Sequence, residues 1–213
     1  IYIGTDSGLI KEKTEGIEVP KEKEKFVIGY VGALGYSYDI KGVIDAIELL
    51  KQEGLAKNIK FKVMGEGVCR AEFENYAKKS GVDCEFTGLL EYGRMMKTLM
   101  TCDIAVNPIV GRSVSSVINK VSDYAAAGIP VINTQNSKEY RELLARYGAG
   151  LNVENGNVRE LADAILKYYN DKECRAASGA NEKKMYDELF DRTRIYPKLV
   201  EKINELIGLS KKK

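Results

Sequence analysis

The residues with the most chemical potential lie in one stretch near the middle of the chain. Lys120 and Asp123 are three positions apart, so on a helix they share one face. Serines stand just before them at Ser113, Ser115 and Ser116, where they can cap the first turn. A helix N-terminus suits a phosphate because it offers unpaired N–H groups and partial positive charge. These residues therefore predict a nucleotide diphosphate site, although an ordinary surface ion pair beside a buried helix fits them equally well.

Composition narrows the classes of protein to which the chain can belong. Its 213 residues are 44% hydrophobic and 30% charged, which is ordinary for a globular α/β domain with extensions. The formal net charge of +2 gives no reason to expect nucleic-acid binding. Histidine is absent, which excludes a histidine general base, a Ser–His pair and a histidine metal ligand within this chain.

The cysteines and the hydropathy pattern predict a cytoplasmic protein. None of the four cysteines forms a CxxC pair, so their spacing predicts neither a zinc site nor a redox couple. Free thiols fit a reducing compartment. The sequence contains no run of 18 apolar residues and no signal-peptide pattern. Because the cysteine spacing predicts no metal site and histidine is absent, we expect no metal and no other cofactor.

Apolar runs that alternate with helical patterns predict a parallel sheet covered on both faces. The six predicted strands are 26–32, 59–64, 84–87, 104–106, 129–133 and 151–153, and a further short strand is predicted at 1–6. The predicted helices are 40–50, 69–79, 92–100, a short helix that ends before Gly128, 138–146, 158–169, 171–189 and 196–207. This order is typical of a Rossmann-like, doubly wound α/β fold of about six strands.

Glycines follow three of the predicted strands, at the sheet edge where such folds bind ligands. They are Gly32, Gly35, Gly65, Gly67 and Gly88, and the polar loop 109–116 falls at the same edge. Glycine there lets the backbone approach a ligand closely. The spacing is not GxGxxG, because position 70 is Arg, and this disfavours a dinucleotide-dependent oxidoreductase.

Four motifs in this order resemble the C-terminal, donor-binding half of GT-B fold glycosyltransferases, in particular glycosyltransferase family 4 (glycosyl transferases group 1). The similarity runs from about Ile1 to Phe190. The motifs are GYVGALGYSYD at 29–39, VMGEG at 63–67, FTGLL at 86–90 and NKVSDYAAAGIPV at 119–131. The resemblance implies a retaining enzyme of the hexosyltransferase type, whose donor is a nucleotide-diphosphate sugar.

The resemblance also assigns roles to individual residues. Asp123 would accept hydrogen bonds from the ribose hydroxyls, and Lys120 would stabilise charge on the departing diphosphate. Backbone groups of Gly88, Leu89 and Leu90 would hold the base, and amides around Ser115 and Ser116 would add to the diphosphate site. Ala33 stands where many members carry a phosphate-binding arginine, so Arg112 or Lys120 would supply that charge. Ser115 stands where the first acid of the family's paired-acid motif is expected.

The expected organisation has three parts. Residues 1–25 would be an interdomain segment and a solvated charged linker, 26–190 the nucleotide-sugar-binding domain, and 191–213 a helix with a basic tail. The acceptor, a saccharide or a lipid-linked sugar, would bind an N-terminal domain that this chain lacks, so the fragment would bind its donor without transferring the sugar. The basic tail suggests peripheral contact of the full-length enzyme with the inner face of the membrane, although three terminal lysines are more often a solvated end. The alternative is a non-catalytic nucleotide- or sugar-binding α/β module.

Overall fold

The computed structural model of the protein describes residues 2–110 and 117–210. Its centre is a six-stranded parallel sheet with the order β3-β2-β1-β4-β5-β6. The strands are β1 Phe26–Val31, β2 Ile59–Met64, β3 Asp83–Gly88, β4 Ile104–Asn107, β5 Val131–Asn133 and β6 Gly150–Asn152. The Rossmann-like, doubly wound sheet that the sequence predicted is confirmed.

Helices connect the strands and cover the sheet. They are α1 Ser7–Thr14, α2 Ile40–Gln52, α3 Arg70–Ser80, α4 Tyr92–Leu99, α5 Asn119–Ala127, α6 Lys138–Tyr147, α7 Val158–Asn170, α8 Lys172–Met185 and α9 Arg192–Ser210, with a π-helical segment at Tyr186–Phe190. Within the described residues no helix is long and apolar enough to cross a membrane.

The sheet separates two hydrophobic clusters because side chains alternate along each strand. On β1, Ile28 and Tyr30 belong to the cluster beneath α2, α3 and α7, whereas Val27 belongs to the cluster beneath α4, α5 and α6. Burial on both faces explains why the strand reads as a continuous apolar run rather than an alternating one. The sheet is therefore a rigid base for the loops at its carboxyl edge.

Part of the segment expected to be a charged linker forms a helix that packs on the domain, although most of residues 11–25 are exposed. Asp6 caps α1 by accepting a hydrogen bond from the Leu9 amide at 2.9 Å. The helix packs against α4 so closely that a Cβ on Gly93 would lie 1.8 Å from the carbonyl oxygen of Lys13. Further along, the Glu22 carboxylate pairs with Lys60 on β2 at 2.5 Å. A few charges of this segment therefore dock it on the domain, while most remain exposed.

The first and last parts of the chain meet beside the sheet. The predicted strand at 1–6 is wrong, since only Thr5 makes an isolated parallel bridge, to Asp191. The Thr5 amide donates to Phe190 and its carbonyl accepts from Arg192, at 2.9 and 3.0 Å. The helix α9 begins directly after this bridge, four residues before the predicted start.

Six apolar side chains of α9 beyond its first turn remain open to solvent. They are 39–57% exposed: Tyr196, Leu199, Val200, Ile203, Leu206 and Ile207. The helix therefore does not cap the core of this domain with these side chains.

Candidate functional site

At the carboxyl edge of the sheet, the direction of strand winding reverses between β1 and β4. The side chain of Tyr124, on α5, joins the ends of these two strands. Its hydroxyl accepts from the Val31 amide at 3.1 Å and donates to the carbonyl of Val106 at 3.1 Å. Because these two partners lie at the ends of β1 and β4, Tyr124 fixes the start of α5 over the point where such folds bind ligands.

Two glycines bring the loops after β1 and β2 into contact. Gly32 and Gly65 have φ angles of 143° and 156°, which disfavour any residue with a side chain. A Cβ on Gly65 would lie 1.8 Å from the carbonyl oxygen of Gly32. The structure thus gives a steric reason for the glycines that the sequence placed in the site.

A first cleft of about 400 Å³ opens above these glycines. It is lined by Val31, Gly32, Ala33, Met64, Gly65, Glu66, Leu89, Leu90, Tyr92 and Met95. Four predicted donor-binding residues, Gly32, Gly65, Leu89 and Leu90, therefore share one cleft. The lining is mostly apolar, and its one carboxylate, Glu66, is paired with Arg70.

The other predicted glycines do not line this cleft. Gly88 bridges Gly65 at the end of β3, and a Cβ on Gly67 would collide with the backbone of Leu34. Both glycines therefore lie where the loops after β1, β2 and β3 contact one another. A Cβ on Gly35 would meet nothing within 4 Å, so the structure gives no steric requirement for glycine at that position.

The helix α5 presents its N-terminus to the same region. It begins at Asn119, its N-cap is Ile118, and within the described residues no side chain caps it. The prediction that a serine caps this helix is therefore wrong, because the helix starts later than the sequence pattern indicated. Arg112, Ser113, Ser115 and Ser116 lie outside the described residues.

The ammonium group of Lys120 lies against the end of β1. It donates a hydrogen bond to the Tyr30 hydroxyl at 3.2 Å, and a Cβ on Gly32 would lie 2.5 Å from it. Among the described residues no carboxylate lies within 4.0 Å of this group. Burial lowers the pKa of Lys120 to about 7, because the charged form loses water without gaining a counter-charge.

Asp123 faces a different partner, one turn further along α5. Its carboxylate accepts a hydrogen bond from the Tyr92 hydroxyl at 3.0 Å. Burial raises the pKa of Asp123 to about 6, and the Tyr92 hydrogen bond and the charge of Arg192 oppose that rise. Lys120 and Asp123 are thus not the surface ion pair that the sequence left open.

Asp123 lines a second cleft of about 250 Å³, and Tyr92 lies in the wall of both clefts. The second cleft is more polar than the first, since its walls include Thr5, Asp6, Asn119, Ser122 and Arg192. Within the described residues no group of three cysteine or acidic side chains is arranged to hold a metal ion. The site therefore offers an apolar cleft, an ammonium group that no carboxylate of the described residues pairs with, and a largely buried carboxylate.

Sequence reasoning missed four tyrosines in this site: Tyr30, Tyr38, Tyr92 and Tyr124. Each lies close to Lys120 or Asp123 or supports α5, and the first three are distant from both residues in sequence. Tyr124 follows Asp123 directly and read only as part of an apolar helix face. The one available signal was Tyr38, which stands in the motif GYVGALGYSYD after β1.

The chain matches a family model over most of its length. Residues 12–185 match the model of the glycosyl transferases group 1. The chain belongs to this family. No curated protein sequence shows significant similarity to it.

Solved structures share its fold. HepE of Anabaena, in complex with UDP-glucose, has a TM-score of 0.74 and 18% identity, over 96% of this chain and 57% of HepE. Sucrose-phosphate synthase of Thermosynechococcus elongatus has a TM-score of 0.72 and 17% identity, over 98% of this chain and 52% of the synthase.

The catalytic domain of a cholesterol-alpha-glucosyltransferase from Helicobacter pylori has a TM-score of 0.63 and 21% identity, over 76% of this chain and 96% of that domain. At these identities the likeness establishes the fold alone, which is the Rossmann-like domain of GT-B glycosyltransferases. The chain spans little more than half the length of HepE and of the synthase.

Proposed function

We propose that this group 1 glycosyltransferase domain binds a nucleotide-diphosphate sugar, as the donor domain of a retaining enzyme of the hexosyltransferase type. The observation that carries the proposal is Lys120. Its ammonium lies beside the first cleft, partly buried, and no carboxylate of the described chain neutralises it. A diphosphate is the counter-charge that such a group lacks.

In this proposal the two clefts bind different parts of the donor. The apolar lining of the first, with Leu89, Leu90 and Met95, suits a base that is held by its faces and by backbone groups. Lys120 would contact the diphosphate next to Gly32. Asp123 would accept hydrogen bonds from the ribose, since one of its oxygens remains free of the Tyr92 hydroxyl. The HepE complex with UDP-glucose supports a donor of this class.

Lys120 would contribute to the reaction through electrostatics. As the bond between the sugar and the diphosphate breaks, negative charge builds up on the departing nucleoside diphosphate. A fixed ammonium stabilises that charge without taking up a proton, so no general base is needed at this position. Asp123 would keep the nucleotide aligned while the bond breaks.

The acceptor is a second part of the proposal. Because the chain spans 57% of HepE, we place the acceptor, a saccharide or a lipid-linked sugar, on an N-terminal domain outside these residues. The enzyme would work in the cytoplasm at the inner face of the membrane. The chain alone should then bind its donor without transferring the sugar, and transfer by the chain alone would contradict this part.

A non-catalytic nucleotide- or sugar-binding module is the second candidate. Ser115 favours it, because that position lacks the first acid of the paired-acid motif. The ligand class separates the two candidates: a sugar-binding module responds to free glucose, whereas a donor domain responds to a nucleoside diphosphate.

Thermal unfolding with UDP, GDP, ADP, TDP, CMP and glucose tests the proposal. A ligand at 100 times its dissociation constant should stabilise the chain by about 2.7 kcal/mol. We expect one nucleoside diphosphate to raise the unfolding temperature and glucose to have no effect. No response to any nucleotide would overturn the proposal.

The role of Lys120 is tested by Lys120→Met. Loss of one charge-assisted contact costs about 1.5–3 kcal/mol, so affinity for the diphosphate found in the screen should fall roughly tenfold to a hundredfold. Lys41→Met is the matched control, because Lys41 also follows β1 but is paired with Glu72. Equal affinities of the Lys120→Met variant and the wild-type chain, by isothermal calorimetry, would remove Lys120 from the site.

A further inference from the structure

Two tyrosine rings enclose the ammonium of Lys120. Its Nζ atom lies 4.4 Å from the ring centroid of Tyr30 and 4.0 Å from that of Tyr38. The two rings are 5.8 Å apart with an angle of 64° between their planes. Both distances are well within the range in which a ring face attracts a cation.

The rings are held firmly by the chain around β1. Tyr30 is fully buried, and its hydroxyl donates to the carbonyl of Ala33 at 2.7 Å while it accepts from Lys120. Tyr38 comes from the loop that follows β1, where its amide donates to Gly35 at 3.1 Å and its backbone bridges Ile109. Within the described residues the Tyr38 hydroxyl makes no hydrogen bond, so only its ring acts on Lys120.

The enclosure does something that an acidic partner could not do. A carboxylate beside Lys120 would hold the ammonium in place but would also neutralise it, as Glu72 does for Lys41. Ring faces attract a cation and leave its formal charge uncompensated. The lysine is therefore fixed in position and still available to an anion.

We propose that Tyr30 and Tyr38 are positioning residues of the diphosphate site, which hold Lys120 beside Gly32 without neutralising it. This inference rests on the proposed function, because it assigns the two rings to the same site. It gives the loop after β1 a role in the site, although Ala33 in that loop carries no charge.

The test compares Tyr38→Phe with Tyr38→Leu. Phenylalanine keeps the ring, so its affinity for UDP should stay within about twofold of the wild-type value. Leucine removes the ring and should lower the affinity for UDP about threefold to tenfold, because the Lys120 side chain then samples other positions. Uridine, titrated by NMR, should bind all variants equally, since it has no phosphate. Tyr36→Leu, an exposed residue of the same loop, is the matched control.

A spectroscopic measurement is independent of any nucleotide. In NMR spectra of lysine-labelled protein, the ε-methylene protons of Lys120 should be shifted upfield by the two rings, with Lys120→Arg used for assignment. The upfield shift should persist in Tyr38→Phe and decrease in Tyr38→Leu. A wild-type Lys120 without this shift would overturn the inference even if Tyr38→Leu failed to fold.

Failure of the inference and failure of the proposed function give different results. If the wild-type chain binds UDP and the leucine variant binds it equally well, the positioning role is wrong and the donor site stands. If the wild-type chain binds neither UDP nor another nucleoside diphosphate, the donor site and the positioning role both fall, whereas the ring shift of Lys120 remains.

Discussion

Burial gives Lys120 and Asp123 properties that their residue types alone do not have. In water a lysine is charged at every physiological pH and an aspartate is ionised above pH 5. Here burial lowers the pKa of Lys120 to about 7 and raises the pKa of Asp123 to about 6. Both groups therefore change charge close to neutrality. A ligand that needs a protonated Lys120 and an ionised Asp123 binds best in a narrow range of pH.

Affinity for a nucleotide sugar should therefore pass through a maximum between about pH 6 and pH 7. Above pH 7 the free protein loses the charge of Lys120, so affinity should fall by up to about tenfold per pH unit. Below pH 6 Asp123 takes up a proton and loses an acceptor for the ribose. UDP-glucose is the suitable probe in calorimetry, because its diphosphate has no terminal phosphate that titrates near pH 6.

Two variants separate the decline in affinity above pH 7 from the decline below pH 6. Lys120→Arg keeps its charge at any pH used, so the decline above pH 7 should disappear even if the maximum affinity is lower. Asp123→Asn should flatten the decline below pH 6. A wild-type profile that is level from pH 5 to pH 9 would mean that neither group contacts the donor.

At the scale of the elements, one hydroxyl group ties α5 to the ends of two strands of the sheet. Tyr124 joins the end of β1 to the end of β4 through Val31 and Val106, which otherwise diverge at this point. It is completely buried, as is its partner Val106, whereas Val31 is half-buried at the edge of the first cleft. The position of Lys120 and Asp123 therefore depends on a neighbour that takes no part in binding.

Tyr124→Phe should lower the free energy of unfolding by about 1–3 kcal/mol, because it leaves the buried carbonyl of Val106 and the half-buried amide of Val31 without this partner. Urea unfolding at pH 7 measures this loss. Tyr36→Phe, which removes a hydroxyl from an exposed ring, should change the free energy of unfolding by less than about 0.5 kcal/mol. Equal losses for the two variants would show that the bridge between β1 and β4 contributes nothing.

The sequence predicted the elements well and the contacts between them poorly. Apolar runs, such as the one that became β1, placed the ends of all six sheet strands within two residues, because burial on both faces leaves a plain local signal. The start of α5 was wrong, since serines before it looked like caps. The partners of Lys120 and Asp123 come from β1 and α4, 90 and 31 residues away, and no local pattern encodes such pairings.

At the scale of the whole molecule, the C-terminal helices close the domain around an unusual core residue. Glu182, on α8, has no exposed surface, and both of its carboxylate oxygens lack a hydrogen-bond partner among the described residues. The hydroxyl group of Tyr140, from α6, is buried near this carboxyl group and lacks a hydrogen-bond partner in the same way. Burial raises the pKa of Glu182 well above its ordinary value of 4.5, so the folded protein keeps this group neutral.

Stability should consequently depend on pH through Glu182. The folded state holds a proton that the unfolded chain releases near pH 4.5, so folding gains the full contribution of this group below that pH. As the pH rises towards the pKa of the folded state, the free energy of unfolding should fall by up to about 1.4 kcal/mol per pH unit. Urea unfolding of the wild-type chain at pH 5, 6, 7 and 8 measures this slope.

Glu182→Gln should remove that slope, because the amide does not titrate, so the variant becomes more stable than the wild-type chain as the pH rises. Glu182→Leu should be more stable again by about 1–3 kcal/mol, since it also removes the unpartnered oxygens. Glu173→Gln is the matched control, because Glu173 is exposed on the same helix and should leave the slope unchanged. If the Glu182→Gln and wild-type curves run parallel from pH 5 to pH 8, Glu182 is ionised in the folded protein, and α8 must then open to let water reach it.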